Sequence, residues 1–481
     1  MPSAILSSPP SIAMSTPVDL SHHLSTEARR RKPNPMKAIW KLTRGRPNMV
    51  SLANGDPHYS LYPIRKIEYE VASVKEEDPV GSWRQGLGSP SLTITSSTSK
   101  SCVVPLQAGL AYTHGAGLPE AQRVVTEITN FYHNAPDHVC TLTLGNSDGI
   151  AKIFRLLGEP GDTFLADEFA FSSVTNTPLA HGVSWAGIRM DEGGLIPSEL
   201  ERVLATWDPA RGRRPHVLYL VPCGQNPTGS TLSLARRTAI YAIAQRFDLL
   251  IVEDDPYYFL QYDDAPGPRP TRPSASRARC SAWTPTAASS ASTPSLRSSR
   301  PARASAGSPP RPLRRRAPRA HRRLHDAPAR LRPDAPRRAP RPPGDRGGWG
   351  VRGFDRWVRS LGAEYRRRRA VFLAAFAREV APGGWASAGP PEAGMFVWIR
   401  VHVARHPRFE LFERCLDGGL VVMPASVFAV PEDPKWDSVE DPIEDRVNYV
   451  RATFAGTEEA MEQGLAILGR VLQEFFVPEE Q

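Results

Sequence analysis

Two polar strings contain residue types that could bind a ligand. The first is Pro222–Gly229 (PCGQNPTG) and the second is Val252–Tyr258 (VEDDPYY). Each follows an apolar stretch. The first offers amides and a hydroxyl, and the second offers carboxylates and phenols. Either string alone is equally well explained as a turn or a polar strand end, because Asn-Pro and Thr-Gly favour turns. Their meaning therefore depends on the elements that carry them.

The elements around these strings alternate between strand and helix. Strands are predicted at 141–144, 163–166, 216–221 and 249–252, and helices at 149–157, 197–207 and 232–247. Strands separated by helices indicate βαβ units and a mainly parallel sheet. Ligands bind such a sheet beyond the carboxyl ends of its strands, which is where both strings lie.

The two ends of the chain are patterned differently. We predict a helical N-terminal arm at 18–45, a surface loop rich in Ser, Thr and Gly at 83–105, a helix from 349 to about 380, a strand at 394–399 and a closing helix at 457–476.

In this order and context, the two strings resemble the class I/II aminotransferases, fold-type-I enzymes that depend on pyridoxal 5′-phosphate. The resemblance implies an α/β fold with a large domain on a mainly parallel sheet and a smaller α+β domain built from both chain ends. It is nearest to the aromatic amino acid and 2-aminoadipate branch, including its fungal members. The expected parts are an N-terminal arm and part of the small domain (1–60), a linker and surface loop (61–105), the large cofactor-binding domain (106–266), an aberrant Arg/Pro-rich segment within it (267–348) and the C-terminal small domain (349–481).

The resemblance gives three residues of the two strings a role toward the cofactor ring. Pyridoxal phosphate withdraws electrons only while its pyridine nitrogen is protonated, and a buried carboxylate favours that charged state. By the family pattern this carboxylate is Asp254. Asn226 and Tyr257 would hydrogen-bond the phenolate oxygen of the ring. Asp255 is expected to be structural.

Other matches extend the resemblance along the chain. Gly145, Asn146 and Ser147 lie at a strand-to-helix junction, where free backbone N–H groups and the helix dipole favour a phosphate. Phe171 is the candidate for an aromatic ring stacked on the cofactor, although a core position explains it nearly as well. Tyr112, in the stretch AGLAYTHGAGLP, would reach the phosphate of the neighbouring subunit, which implies a homodimer.

The substrate side of the site is implied by two further motifs. Gly55 in SLANGDP would lie close to the substrate, and Arg451 in NYVRATF would bind the α-carboxylate. Arginine suits this task because its planar fork binds a carboxylate through two hydrogen bonds. The alternative explanation of Arg451, a solvated charge at a strand end, is disfavoured by the motif. The implied reaction moves the amino group of an amino acid, aromatic by the branch, to 2-oxoglutarate.

One segment creates the basic character of the chain. The net charge is +10, but 267–348 contains 20 Arg, no Lys, three Asp and no Glu, so its charge is +17 and the remainder carries −7. The segment also holds 16 of the 48 prolines and no Ile, Val, Phe, Tyr or Met. Such a composition buries almost nothing and predicts disorder. A structureless stretch of this length within a compact domain argues against taking the segment at face value.

The family's lysine is absent from the sequence. Transamination needs a lysine that forms a Schiff base with the cofactor and moves a proton. The family carries it in a Ser-x-x-Lys motif after the Asp-x-x-Tyr strand, followed by an arginine for the phosphate, and neither motif occurs here. Lys152 and Lys435 stand in unrelated contexts. No catalytic residue is therefore assigned.

A shift of reading frame explains both absences. If each true codon joins the last base of one codon to the first two of the next, Ser292–Arg297 permits Asp-Ser-Phe-Ser-Lys. The lysine codon would straddle Leu296 and Arg297. Two bases of each such codon are set by the present residues, except where Ser, Leu or Arg have alternative codons, and the first base is a free choice. We predict a shifted frame or a mis-assigned gene structure over 267–348.

The alternatives belong to different classes. The chain could be a non-catalytic homologue that keeps a cofactor-shaped pocket, or another fold-type-I enzyme such as a lyase or decarboxylase. A nucleic-acid-binding protein is disfavoured, because the Arg-rich segment has no aromatic residue to stack on bases except Trp283. No apolar run is long enough to cross a membrane, and we predict no secretory signal. Five dispersed cysteines predict reduced thiols, a cytoplasmic protein and no metal centre.

Overall fold

The computed structural model describes residues 19–32, 34–35, 55, 57–87, 92–97, 106–112, 115–133, 138–262, 295–298, 349–402, 410–430 and 443–477. The helices within them are α1 (Thr26–Arg30), α2 (Pro79–Arg84), α3 (Leu106–Leu110), α4 (Pro119–Tyr132), α5 (Asn146–Leu157), α6 (Ser172–Leu179), α7 (Pro197–Ala205), α8 (Leu234–Phe247), α9 (Gly350–Glu379), α10 (Glu410–Asp417) and α11 (Glu458–Phe476). The strands are β1 (Lys66–Val71), β2 (Leu92–Ser97), β3 (Thr163–Asp167), β4 (Ser184–Ile188), β5 (Met190–Asp191), β6 (Gly194–Leu195), β7 (Val217–Leu220), β8 (Leu250–Glu253), β9 (Ser295–Ser298), β10 (Ala386–Ala388), β11 (Phe396–Val401), β12 (Met423–Pro424) and β13 (Tyr449–Thr453).

The larger sheet has the order β4-β3-β7-β8-β9. Its first four strands are parallel, and β9 runs antiparallel to β8. Helix α6 connects β3 to β4, and α8 connects β7 to β8. All residues of β3 and β7 are buried, as expected for parallel strands that helices cover on both faces. The predicted α/β fold with a mainly parallel sheet is confirmed.

The two faces of this sheet pack separate apolar clusters. On β7, Val217 and Tyr219 face the cluster that contains Phe154 of α5, while Leu218 and Leu220 face the cluster with α7 and α8. This alternation follows from the two-residue period of a strand. Phe154 lies edge-on to Trp185 with ring centroids 5.5 Å apart. Such packing on both faces fixes the strands, and hence the positions of the loops at their carboxyl ends.

The C-terminal half forms a second, antiparallel sheet of order β10-β11-β13-β12. Its core includes Phe372 and Phe376 of α9, Leu465 and Leu468 of α11, and the fully buried Phe454 just after β13. The long helix predicted after residue 349, the strand near 394–399 and the closing helix are confirmed by α9, β11 and α11, with one- or two-residue differences at their ends.

The described part of the N-terminal arm packs on the larger sheet unit. A 3-10 helix at Ser21–His23 precedes α1. Ser25 caps the start of α1, because its Oγ accepts from Ala28 N at 3.1 Å, and its own N donates to Leu156 O of α5 at 2.8 Å. The predicted helical arm is thus two short elements up to Arg30, and residues 36–45 of that prediction lie outside the described residues.

Residues from the first hundred also contact α9. Val80 N of α2 donates to Ser360 Oγ at 2.9 Å, and Trp349 Nε1 donates to Ala72 O at 2.8 Å. The surface loop predicted at 83–105 is wrong for β2, which pairs antiparallel with β1. Its alternating Thr and Ile are β-branched and favour a strand, whereas the prediction treated Ser and Thr as loop residues.

Two other local predictions are wrong. Residues 141–144 form no strand, and Leu144 is 95% exposed; alternation of Thr and Leu favours a strand only where a partner strand is available to pair with it. The segment 267–348 is not irregular throughout, because β9 lies within it. Backbone pairing with the β8 edge needs no apolar side chains. The rest of that segment lies outside the described residues. None of the helices in the described part of the chain is long and apolar enough to span a bilayer.

Candidate functional site

Asp254 lies immediately after β8, with its N–H still donating to Leu220 O of β7 at 3.0 Å. The side chain is buried, at 6% exposure. Its Oδ2 accepts a hydrogen bond from Tyr219 OH at 3.0 Å, and its Oδ1 accepts one from Asn146 Nδ2. Burial raises the pKa of Asp254 to about 6, against the lowering effect of these two bonds. A carboxylate that is largely ionised at neutral pH is thus buried at the carboxyl end of the sheet.

The amino end of α5 supplies the second partner of this carboxylate. Gly145 precedes α5 with φ +130°, a conformation that favours glycine, and no side chain caps this terminus. Asn146 turns toward Asp254, and its Oδ1 is buried without a hydrogen-bond partner among the described residues. Ser147 is exposed beside it. The junction therefore has uncapped N–H groups, as an anion site requires, but the Asn146 side chain supports Asp254.

A second pair joins the first polar string to the C-terminal sheet. Arg451 of β13 donates from NH1 to Asn226 Oδ1 at 2.7 Å. Its guanidinium carbon lies 4.3 Å from the Phe396 ring centroid and 4.8 Å from that of Phe428. Burial lowers the pKa of Arg451, although not enough to discharge a guanidinium. The two phenylalanine rings orient the guanidinium of Arg451. Its hydrogen bond to the Asn226 amide links it to the loop after β7.

Tyr257 is near both pairs, because the charges of Asp254 and Arg451 both act on its phenol. Its ring is edge-on to Phe396, with centroids 5.9 Å apart and planes at 88°. Burial raises its pKa to about 12, and the charge of Asp254 acts in the same direction, whereas Arg451 opposes it. The phenol therefore keeps its proton at neutral pH and can donate a hydrogen bond.

Close backbone contact fixes the loop that carries Asn226. Gly224, with φ +55°, lies so close to Gly394 that a Cβ at either position would clash with the other's backbone. Gly394 N donates to Leu260 O at 3.0 Å, which attaches the same segment to the chain after Tyr257. Only glycine fits both positions, so Asn226 and Phe396 are held together across the two sheets.

The remaining predicted residues are less closely associated. Phe171, partly buried, caps the start of α6 and packs with Tyr257 against the cluster that contains Tyr219. Tyr112 is 85% exposed. Gly55 is exposed, with nothing within 4 Å of a Cβ built on it. In a single chain, therefore, neither Tyr112 nor Gly55 is buried in the site.

The sequence missed three supporting side chains. Tyr219 is on β7, and strand alternation could have placed it on the Asp254 side. Gln225 Nε2 donates to the buried Asp167 at 3.1 Å, and Arg446 NH2 donates to the buried Glu168 at 2.6 Å. No local motif signals contacts between residues so far apart in the chain.

The lysines of the described residues are all on the surface. They are Lys32, Lys66, Lys75 and Lys152. Lys152 lies on α5 and pairs with Asp148 at 2.6 Å, with 65% of its side chain exposed. None of these four lysines occupies the interior beside Asp254.

Comparisons with known proteins give a consistent answer. The sequence profile of the family "Aminotransferase class I and II" matches residues 107–280. The L-tyrosine:2-oxoglutarate aminotransferases amt1 of Serpula lacrymans and atrD of Tapinella panuoides are each 39% identical, over 95% of this chain and 96% of their own. The crystal structure of aminotransferase Aro8 from Candida albicans, 24% identical, superposes with a TM-score of 0.71 over 96% of this chain and all of that one. The chain belongs to the class I and II aminotransferase family.

Proposed function

We propose that the intact form of this protein transfers the amino group of an aromatic amino acid to 2-oxoglutarate, that 267–348 stands where the lysine-bearing segment belongs, and that the chain with the present sequence is inactive because it lacks that lysine. Pyridoxal 5′-phosphate is the cofactor of the family. The observation that carries the proposal is the buried Asp254 carboxylate with the Asn226–Arg451 pair beside it. The Asp254 carboxylate suits a cationic cofactor ring, and the arginine of the pair suits a substrate carboxylate.

The groups around Asp254 fit the cofactor ring. Its two donors, the Tyr219 phenol and the Asn146 amide, are both neutral. Neutral donors leave the charge of a buried carboxylate uncompensated, and a protonated pyridine nitrogen would compensate it. The ring, when bound, supplies an electron sink for the bond-breaking step. Asn226 and Tyr257 would hydrogen-bond its phenolate oxygen, and the uncapped start of α5 at Gly145 would receive the phosphate.

Arg451 would bind the α-carboxylate of both substrates. Phe396 and Phe428 already orient its guanidinium, so less side-chain entropy is lost on binding. Asn226 Oδ1 accepts a hydrogen bond from one of the five N–H groups of Arg451. The other N–H groups can donate to the two oxygens of a carboxylate. Phe171 would stack on the ring and Gly55 would lie near the substrate. The names of the fungal relatives, L-tyrosine:2-oxoglutarate aminotransferases, support this pair of substrates.

Three observations support a shifted frame over 267–348. The four described lysines are exposed. The family profile stops matching at residue 280, inside the segment. Strand β9, which includes Leu296 and Arg297, pairs with β8, whose carboxyl end leads to Asp254. The position inferred for the lysine codon is thus in a strand next to the one that carries the ring partner.

A second candidate is a non-catalytic homologue that binds the cofactor without covalent attachment. The absence of a Ser-x-x-Lys motif favours it, and the carboxylate site alone would still hold a pyridine ring. A lyase or decarboxylase on the same fold would share all the residues named, but the relatives' names favour transamination.

We further propose a cytoplasmic homodimer. Tyr112, Val139 and Leu144 are exposed at 85%, 78% and 95%. Leu142 N donates to Ala116 O at 3.0 Å, so the segment after Tyr112 runs beside that of Leu144. Apolar exposure concentrated next to the α5 terminus suits burial by a partner subunit. The described cysteines are buried and unpaired, as in a reducing compartment.

If the protein is a homodimer, its molecular mass in solution should be twice the 52.9 kDa of one chain. Light scattering on purified protein in the shifted frame should give this mass, and Tyr112→Ala should weaken cofactor retention without dissociating the dimer. A fully active monomer would reject the shared site.

Because the lysine is missing, covalent attachment of the cofactor should be lost, and this loss can be measured chemically. Protein made from this sequence should yield no phosphopyridoxyl-lysine peptide after borohydride reduction and digestion, and no transamination, because no described lysine is buried at the site. Protein in the shifted frame should yield both, with an aromatic amino acid and 2-oxoglutarate as substrates. Full activity from the present sequence would show that another lysine serves. Failure of the shifted-frame protein to bind cofactor would reject the function itself.

Asp254→Asn in the shifted-frame protein tests the ring partner. We expect kcat to fall by roughly 10²–10³-fold, the range for loss of one preorganised electrostatic partner. Asp255→Asn is the matched control, because Asp255 is the adjacent carboxyl and is as buried as Asp254, while it is expected to be structural. Equal losses in the two variants, or near-normal kcat in Asp254→Asn, would contradict the assignment.

A further inference from the structure

Three side chains far from this site place metal-binding atoms close together. His22 Nε2 lies 2.7 Å from Asp248 Oδ2, and His23 Nε2 lies 3.5 Å from the same oxygen. All three atoms are within 4.8 Å of one another. The histidines are neighbours in the N-terminal arm, whereas Asp248 ends α8, so the cluster joins two parts of the chain.

The backbone holds each of the three in place. His22 and His23 belong to the 3-10 helix Ser21–His23, whose rings lie with centroids 4.0 Å apart. Asp248 has φ +56° and ends α8 in the left-handed region, which Asp and Asn tolerate better than other non-glycine residues. The carboxylate is thereby directed away from the helix and toward the arm.

The side chain of His23 gives the strongest indication of a bound ligand. It is 2% exposed, and its buried Nε2 makes no close hydrogen bond among the described residues, because its contact with Asp248 Oδ2 is long, at 3.5 Å. Such an atom is rarely left unsatisfied in a protein interior.

The other ring nitrogen of His23 contacts a second buried histidine, His216. Its Nδ1 lies 3.0 Å from Nδ1 of His216, and Nε2 of His216 lies 3.6 Å from Asp162 Oδ2. Metal-binding histidines commonly donate their second N–H to such a partner, which orients the ring. In the structure Arg213 donates to His216 Nε2 at 2.6 Å, so His216 Nδ1 is the donor and His23 Nε2 carries the N–H. Metal binding would require both rings to change tautomer, so that His23 Nδ1 donates to His216 and His23 Nε2 presents its lone pair. Arg213 would then move away from His216 and keep its two bonds to Asp162.

We propose that His22, His23 and Asp248 bind a divalent transition-metal ion of the zinc type, which fastens the N-terminal arm to α8. Two imidazoles and one carboxylate favour zinc over calcium or magnesium, which prefer oxygen ligands. Zinc lies about 2.0–2.2 Å from such atoms, so ligand atoms about 3–3.5 Å apart are required. The His23–Asp248 separation fits. His22, with 55% of its side chain exposed, can move to widen its present contact, and water can occupy the fourth position.

This metal would be structural. Asp248 precedes β8 and Asp254 follows it, so the cluster and the proposed cofactor site lie at opposite ends of one strand, roughly 20 Å of extended chain apart. The inference therefore stands independently of the proposed function.

The test uses the full-length chain without a histidine tag, freed of metal by a chelator. Zn²⁺ alone is titrated in competition with a chromophoric chelator of micromolar affinity, and the unfolding midpoint is followed in parallel. We expect one Zn²⁺ per chain and a higher midpoint with zinc. His22→Gln and Asp248→Asn should each weaken binding by more than about 10-fold, since even the loss of an outer partner costs that much. Both residues are partly exposed, so these variants should fold.

His181→Gln is the control, because His181 is exposed and lies outside the cluster. It should bind zinc like the unaltered chain. Absence of competitive zinc binding would overturn the proposal. So would equal binding by all four proteins, which would locate the zinc elsewhere.

Discussion

The burial of one carboxylate constrains the rest of this structure. Asp254 is ionised at neutral pH yet almost removed from water, and an isolated buried charge is costly. Three elements converge to stabilise it: β8 carries it, β7 supplies the Tyr219 phenol and the start of α5 supplies the Asn146 amide. The core on one face of the parallel sheet positions all three elements. In this core, Phe154, Trp185 and Tyr219 pack edge to face. The carboxylate therefore constrains the relative positions of β7, β8 and the start of α5.

A second constraint connects the two sheets. Arg451 comes from the C-terminal sheet and reaches Asn226 on the larger one, and the Gly224–Gly394 contact keeps the two loops together. The buried Glu168 accepts two hydrogen bonds from Arg446 on the same side. Breaking one partner of a buried ion pair is strongly destabilising, so these contacts fix the spacing between the proposed ring partner, Asp254, and the proposed carboxylate clamp, Arg451. The site exists only where the two units meet.

Sequence patterns predicted the parts of this architecture that depend on local periodicity. Strands β3, β7 and β8, with helices α5, α7 and α8, lie within a few residues of their predicted positions, because apolar runs and helical spacing are strong local signals. The patterns failed where the outcome depends on a distant partner. Residues 141–144 have the alternation of a strand without a neighbour to pair with, and β2 pairs with β1 despite a Ser- and Thr-rich composition. The roles of Asn226, Asp254 and Arg451 came from the motif resemblance, but Tyr219 and the turn of Asn146 toward Asp254 required the fold.

The account depends most on the claim that 267–348 is read in a shifted frame. Sequencing the transcript across codons 265–350 tests it directly, because the claim concerns bases and not folding. The account predicts a frame that encodes a Ser-x-x-Lys motif, with the lysine codon formed across the present positions of Leu296 and Arg297. A transcript that encodes the present residues throughout this stretch would contradict it, and the chain would then be a family member without the lysine on which transamination depends.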